Sequence, residues 1–523
     1  MPSRKLFLFA SLLLCLVSPA PPAAAQIPPA KPDSLAPKVP VGSSGCSLAG
    51  ASLCGEALPK IIAGALGPSP LEENLRRLTD EVGGRVTGSP AMERAAAWAV
   101  AAFRQAGVDD VRTEKYTIPV AWAEGATRLE VLAPVPFPVR LVSVGWSPPT
   151  PAGGVEADVV DIGDGGEAAF AARGASTKDA ILLVHSELLR TWDDLFNEYL
   201  HAPGIIDRAV RSGAAAILWM GTRERGLLYR HQNTLLGELD RLPQAIVARE
   251  EAERLARFLA AGQRVRVRLV MPNRVGGPVE QQNVVAEIRG REKPAEFVLL
   301  GAHLDSWELG TGALDNGCNA ALVIEAARAI AATGLRPRRS LRFVLFSGEE
   351  QGMLGSWAYV RAHRGEMDAA VAAVFFDEGT GRVTGYSLGG RRDIEASLRE
   401  ALKSVDSWGA TRHTPDAFIG TDNFDFLIEG VPTLVANQEE ANYIANYHAS
   451  SDTFDKVDIR ELKLHAAFAA VTLFAIAERP ERLGLRQSRA EIDALLRETG
   501  LDKQMQTFGL WTMWAQGQRG RPR

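Results

Sequence analysis

The stretch Phe297-Val-Leu-Leu-Gly-Ala-His-Leu-Asp-Ser-Trp307 passes abruptly from an apolar run to ionisable side chains. Phe297–Ala302 has the length and continuous apolarity of a strand buried on both faces, as in a parallel sheet. His303 and Asp305 follow at its carboxyl end. On either side the pattern repeats. Further candidate strands are Asn283–Ile288, Ser340–Phe346, Ala370–Phe376 and Pro432–Ala436. They alternate with candidate helices at Asn319–Ala332, Met353–Ala362, Asp393–Val405 and Asp458–Glu478, the last opening on the capping-box-like Asp458-Ile-Arg-Glu461. This alternation predicts an α/β fold: an open, mixed, mostly parallel sheet with helices on both faces. Ligands of such sheets gather beyond the carboxyl ends of the strands.

Upstream, Pro70–Gly107 carries two helical patterns, the second (Ala91–Ala106) stopped by Gly107, and Val111–Val120 is strand-like. Between residues 121 and 275 short β-like runs (Leu129–Leu132, Val159–Ile162, Ile181–His185, Ala215–Met220, Ala245–Val247, Val265–Met271) are punctuated by Gly and Pro. Helical stretches lie near Ile205–Arg211 and Arg249–Ala260. The expected organisation is therefore a main domain of residues 70–120 and 276–480, interrupted by a small, mostly β insert at 121–275. Residues 481–523 form a C-terminal extension with one amphipathic helix and a basic end.

Arg4 and Lys5 precede the apolar run Leu6–Val17, and the small residues Ala23-Ala24-Ala25 follow. These are the parts of a cleaved export signal, residues 1–25. Residues 26–69 follow as a linker and N-terminal segment. Cys15 has no small residue before it, which disfavours lipidation, and no other segment reaches about 18 apolar residues. The expectation is an exported chain, periplasmic or secreted, without a membrane span after cleavage. In that setting Cys46 and Cys54 can form a disulfide, while Cys318 is left unpaired and by default buried. A formal net charge of −5 over 523 residues argues for neither nucleic acid nor an anionic membrane as partner.

Polar residues recur at the ends of the candidate strands: His303 and Asp305, then Glu349-Glu350, then Asp377-Glu378, and Tyr447-His448 beyond Pro432–Ala436. Asp315 lies on the loop between the first of these strands and its helix. Each alone has a bland explanation; glutamates at a helix start, for example, complement its dipole. Together, two histidines and three carboxylates form a nitrogen–oxygen ligand set suited to zinc. So many acids at one sheet edge would repel each other unless cations sat between them, and a pair of divalent ions meets that need.

The segments Gly-Ala-His-Leu-Asp-Ser-Trp, Gly-Ala-Leu-Asp-Asn-Gly, Phe-Ser-Gly-Glu-Glu-Gln-Gly, Phe-Phe-Asp-Glu-Gly and Tyr-His-Ala-Ser-Ser-Asp-Thr resemble the co-catalytic two-zinc exopeptidases. The likeness is greatest to the aminopeptidase S and plasma glutamate carboxypeptidase type, and runs in order from about Leu71 to Glu478. It implies a zinc exopeptidase fold, a protease-associated domain as the insert, two zinc ions per chain and a peptide substrate, and leaves a homodimer open. It also implies hydrolysis by a hydroxide shared between the two zincs. His303 and Asp377 would bind one zinc, Glu350 and His448 the other, with Asp315 bridging. Asp305 would orient His303, Glu349 would be the general base, and the Tyr447 hydroxyl would stabilise the oxyanion. Gly420-Thr-Asp-Asn-Phe424 resembles a family loop near the substrate. Asp452 either supports His448 or caps a turn. Cys318 and Asn319 depart from the small residues relatives place after the aspartate.

Three rivals follow from the same residues. A cysteine hydrolase would use Cys318, at a helix N-terminus, with one histidine, but it leaves five metal-type residues unexplained. A non-catalytic peptide-binding relative would ordinarily lack a ligand or the base, and none is missing. A glutaminyl-cyclase-like enzyme would need one metal. The remaining histidines (His185, His201, His231, His363, His413, His465) have no partners at metal spacing and are expected to be structural.

Overall fold

The computed structural model of the chain describes residues 52–522. The signal segment, most of the linker and Cys46 lie outside the described residues; Cys54, the expected partner of Cys46, is disulfide-bonded. Within the segment read as linker, Cys54–Leu66 is a helix (α1) that buries Ala57, Leu58, Ile61 and Ala65. Those positions have the helical spacing of an apolar stripe.

Helix α2 (Pro90–Ala106) leads into β1 (Asp110–Ile118), and after a long excursion the chain returns as β2 (Val279–Ile288) and β3 (Lys293–His303). Then follow α3 (Cys318–Ala331), β4 (Arg339–Phe346), β5 (Ala370–Phe375), β6 (Val383–Ser387), β7 (Thr433–Gln438) and α4 (Ile459–Glu478). The strands make one seven-stranded sheet in the order β1-β2-β4-β3-β5-β7-β6. Its centre, β4-β3-β5-β7, is parallel; the β1-β2, β2-β4 and β7-β6 pairs are antiparallel.

Alternation along the central strands explains why both faces are covered. Val298, Leu300 and Ala302 join Phe343 and Leu345 beneath α1 to α4. Phe297 and Leu299 join Val344, Phe346 and Phe375 on the opposite face, with Tyr359, Val360 and Phe426 above them. The sequence did not suggest β6, Val-Thr-Gly-Tyr-Ser, because a glycine in mid-strand weakens the pattern. Asp458 caps α4, accepting from the amides of Arg460 and Glu461.

The excursion between β1 and β2 contains an eight-stranded sheet. Its order is Phe137–Val139, Arg128–Ala133, Arg266–Val270, Val155–Asp161, Ile181–Val184, Ala216–Met220, Gln244–Val247, Leu141–Ser143. Four adjacent strands run parallel, so helices are needed to cross between them. One is Trp192–Ser212, much longer than the Ile205–Arg211 stretch suggested by the sequence. Pro203 inside it hid the continuity. Its start is fixed by a capping box between Thr191 and Asp194. After α4, the extension forms three helices rather than one: Arg489–Glu498, Leu501–Thr507 and Leu510–Ala515. Among the described residues, no helix is long and apolar enough to cross a membrane.

Candidate metal centre and active site

Because β4, β3, β5 and β7 are parallel, their carboxyl ends share one edge. His303 ends β3, in register with Phe346 at the end of β4; Glu349 and Glu350 follow β4, and Asp377 follows β5. His448 comes from the loop after β7. The sheet thus gathers residues up to 145 positions apart in the chain (303 to 448).

They form two trios sharing Asp315, each with its ligand atoms within 4.8 Å of one another: His303, Asp315 and Asp377, and Asp315, Glu350 and His448. His303 Nε2 lies 3.1 Å from both Asp315 Oδ1 and Asp377 Oδ1. His448 Nε2 lies 3.3 Å from Asp315 Oδ2 and 3.0 Å from Glu350 Oε2. Each Asp315 oxygen therefore faces a different imidazole. Asp315 Oδ2, Glu350 Oε1 and Asp377 Oδ1 are buried and make no hydrogen bond. Unbonded carboxylate oxygens converging with imidazole nitrogens fit a pair of zinc ions. Nδ1 of His303 donates to the Asp305 carbonyl at 3.0 Å, since a carbonyl can only accept, which leaves Nε2 as the lone-pair nitrogen.

The ionisation of the cluster follows its crowding. Burial opposes charge on Asp315, yet the imidazoles of His303 and His448 beside it hold its carboxyl well below the usual range. Burial raises Glu350 and Asp377. Burial also drives Glu349 well above the ordinary carboxylate range; His303 pulls it down, while Asp377, Glu350 and Asp422 add to the rise. Glu349 belongs to neither trio.

The Asp305 carboxylate stands 3.7 Å from His303 Nδ1, farther than its own carbonyl. It instead accepts from the backbone amides of Glu349 (3.3 Å) and Glu350 (3.4 Å) and from Thr87 Oγ1 (2.8 Å). One residue thus aligns the histidine through its main chain and the glutamate turn through its side chain.

The turn carrying Asp315 is clamped from two sides. Asp452, one of whose two suggested roles was capping a turn, accepts from the amides of Ala313, Leu314 and Asp315 at 3.1, 2.7 and 3.1 Å. Opposite, the fully buried Arg85 donates to the carbonyls of Thr311 and Gly312, both at 2.9 Å, and of Leu304. Gly312 has φ +60°, and a Cβ there would lie 2.3 Å from Ser306 Cβ, so only glycine fits. Sequence reading passed over Arg85; its signal was a lone cation in Gly83-Gly-Arg-Val-Thr-Gly88, just ahead of helix α2. Cys318 is fully buried just past the turn, its thiol 3.3 Å from the Leu314 carbonyl, and burial pushes its pKa well up.

His448 has φ +57°, an uncommon conformation for a non-glycine residue. Its carbonyl accepts from the Arg230 amide at 3.0 Å, and Arg223 donates to the Tyr447 carbonyl at 3.0 Å. Both partners belong to the excursion between β1 and β2. The Tyr447 ring stacks on His448 with centroids 3.7 Å apart, and its hydroxyl is 3.2 Å from that of Tyr199. Asp422, from the loop after Gly420, is fully buried with neither oxygen hydrogen-bonded. Above the trios lies a cavity of about 340 Å³, walled by Trp192, Leu195, Phe196, Phe418, Ile419 and Phe508.

A strand-end cluster of this composition, on a mixed sheet with a parallel centre covered on both faces, is the arrangement of a metal-dependent hydrolase. The model of Peptidase family M28 matches residues 283–473, from β2 into α4, and this segment belongs to that family. Carboxypeptidase Q of Mus musculus is 28% identical over 413 residues, 79% of this chain and 86% of that protein. The crystal structure of a peptidase M28 precursor from Shewanella amazonensis SB2B has a TM-score of 0.75 at 27% identity, covering 83% of this chain and 98% of that one. A zinc aminopeptidase from Bacillus subtilis shares the fold, with a TM-score of 0.62 at 19% identity over 80% of this chain and 97% of its own.

Proposed function

We propose that this chain is an exported, zinc-dependent exopeptidase that hydrolyses short peptides. The observation that carries the reading is the pair of trios hinged on Asp315, with buried carboxylate oxygens left unbonded. His303 and Asp377 would hold one zinc, Glu350 and His448 the other, and Asp315 both. Zinc held there supplies Lewis acidity, lowering the pKa of water and polarising the scissile carbonyl. Glu349, outside both trios and with a raised pKa, takes the proton of the attacking water and delivers it to the departing amine. The Tyr447 hydroxyl donates to the developing oxyanion. Asp305 keeps His303 and the Glu349–Glu350 turn in register.

Among the described residues lining the cavity, none is lysine or arginine, while Glu378 and Asp416 add acid beyond the ligands and the base. This favours a substrate with a free amino end near the trios. Residues 121–275, read as an insert of the protease-associated type, brace His448 and supply cavity wall.

The test is Glu349→Gln in the purified protein, assayed on unblocked dipeptides beside zinc analysis. Two zincs per chain should remain while kcat falls by at least about 10². Loss of zinc instead would mean that the roles of the two glutamates are exchanged. One zinc per chain in the unmodified protein would overturn the two-metal reading, and full activity after chelation would overturn the metallopeptidase.

A further inference from the structure

We propose, resting on the peptidase reading above, that the C-terminal extension forms part of the substrate pocket. In this proposal Phe508 selects a bulky apolar side chain on the residue beside the scissile bond. The cavity floor is charged, but its walls are apolar and aromatic, a division suited to chemistry below and side-chain selection above. Phe508 lines the same cavity as His303, Glu349 and His448. It sits between the helices Leu501–Thr507 and Leu510–Ala515, outside residues 283–473, the part matched by the family. Trp192 and Phe196, which line the same cavity, also come from outside that part. The residues that would meet the substrate's side chain are thus separate from those that do the chemistry.

Two features make Phe508 a fixed wall rather than a loose flap. First, Leu496, Leu501, Met505, Leu510 and Trp514 of the extension share a buried core with Met353, Ile419, Phe424 and Ile428. Second, Arg519, 1% exposed, grips the catalytic body. Its Nε donates to Asp425 Oδ1 at 2.8 Å and its Nη2 to Oδ2 at 2.7 Å, a forked, fully buried pair. Nη2 also reaches the carbonyls of Gly352 (3.2 Å) and Met353 (3.4 Å). Those carbonyls lie two and three residues beyond Glu350, so the clasp ties the extension to the turn that carries the base and a ligand. Phe508 itself packs against this core while staying partly exposed to the cavity.

The experiment compares kcat/KM on Phe-Gly, Leu-Gly, Ala-Gly and Gly-Gly for the unmodified protein, Phe508→Ala and Phe508→Leu. Zinc content and unfolding midpoint serve as controls. Phe508→Ala should lose about tenfold or more on Phe-Gly and Leu-Gly, mainly through KM, while Ala-Gly and Gly-Gly change by less than about threefold. Phe508→Leu should recover most of the loss. An equal effect on all four peptides, no effect, or a change confined to kcat would overturn the proposal while leaving the peptidase reading intact. An unmodified protein inactive on all four would overturn both.

Discussion

Arg85→Met tests whether the metal centre depends on the clamp around the Asp315 turn. Methionine keeps much of the arginine stem's volume but removes the donors that satisfy the carbonyls of Leu304, Thr311 and Gly312. A buried polar group left without a partner costs about 1–3 kcal/mol, so three carbonyls, partly rescued by relaxation, amount to about 3–6 kcal/mol. That is a large share of the about 5–15 kcal/mol by which a domain is stable. For a cooperative unit of this size the unfolding entropy is about 1 kcal/mol/K, so the apoprotein should melt about 3–6 °C lower. The same loss frees the backbone that aims Asp315, and weakened support of a ligand typically lowers zinc affinity by about 10–100-fold. Calorimetry of the chelated protein and zinc competition against a chromophoric chelator measure the two effects. A melting temperature within about 1 °C of the unmodified protein, with unchanged zinc affinity, would refute the clamp.

Three further outcomes are expected. If the Tyr447 hydroxyl serves the oxyanion, Tyr447→Phe lowers kcat by about 10² with KM nearly unchanged; a change confined to KM would assign the ring to packing against His448. Cys318→Ala should leave kcat/KM within about twofold, and the folded protein should resist alkylation, because the thiol is buried and its pKa raised. Burial lowers His363, but its 2.7 Å bond to Glu114 outweighs this and raises its pKa, while that of Glu114 is lowered. The stabilising effect of His363 is therefore complete below its unfolded value of about 6.5 and fades as pH rises through the higher folded value. His363→Gln should cost about 1 kcal/mol near pH 6 in chemical denaturation, with the gap closing near pH 10; a gap that widened with pH would contradict this sign.

Much of the catalytic sheet was legible because its strands are short, apolar and buried on both faces, and because each ends abruptly in ionisable residues. Strand β3 is the clearest instance: Phe297–Ala302 could scarcely be anything else, and His303 marks its end. The candidate site residues stood out for the same reason, since an acid or imidazole at a buried strand end has little structural use there. Less legible were elements whose local signals conflict. Pro203 masked a 21-residue helix, Gly385 masked an edge strand, and the extension's three short helices looked like one. A tyrosine beside a histidine was visible as a pair, but the hydroxyl of Tyr199 opposite it was not.

By itself, then, the sequence determined the alternation of strands and helices, the edge at which the chemistry gathers, and the residue types able to hold zinc. These follow from local periodicity and from the cost of burying charge without a partner. The tertiary structure alone decided which oxygen of Asp315 faces which histidine and that Asp305 orients His303 through its carbonyl. It also decided that Arg85 and Asp452 grip one turn between them, and that Phe508 closes the same cavity. The grip on that turn joins residues separated by about 140 to 370 positions (Asp315 to Asp452, Arg85 to Asp452), and no pattern within a short window of sequence encodes a contact made only when distant segments pack.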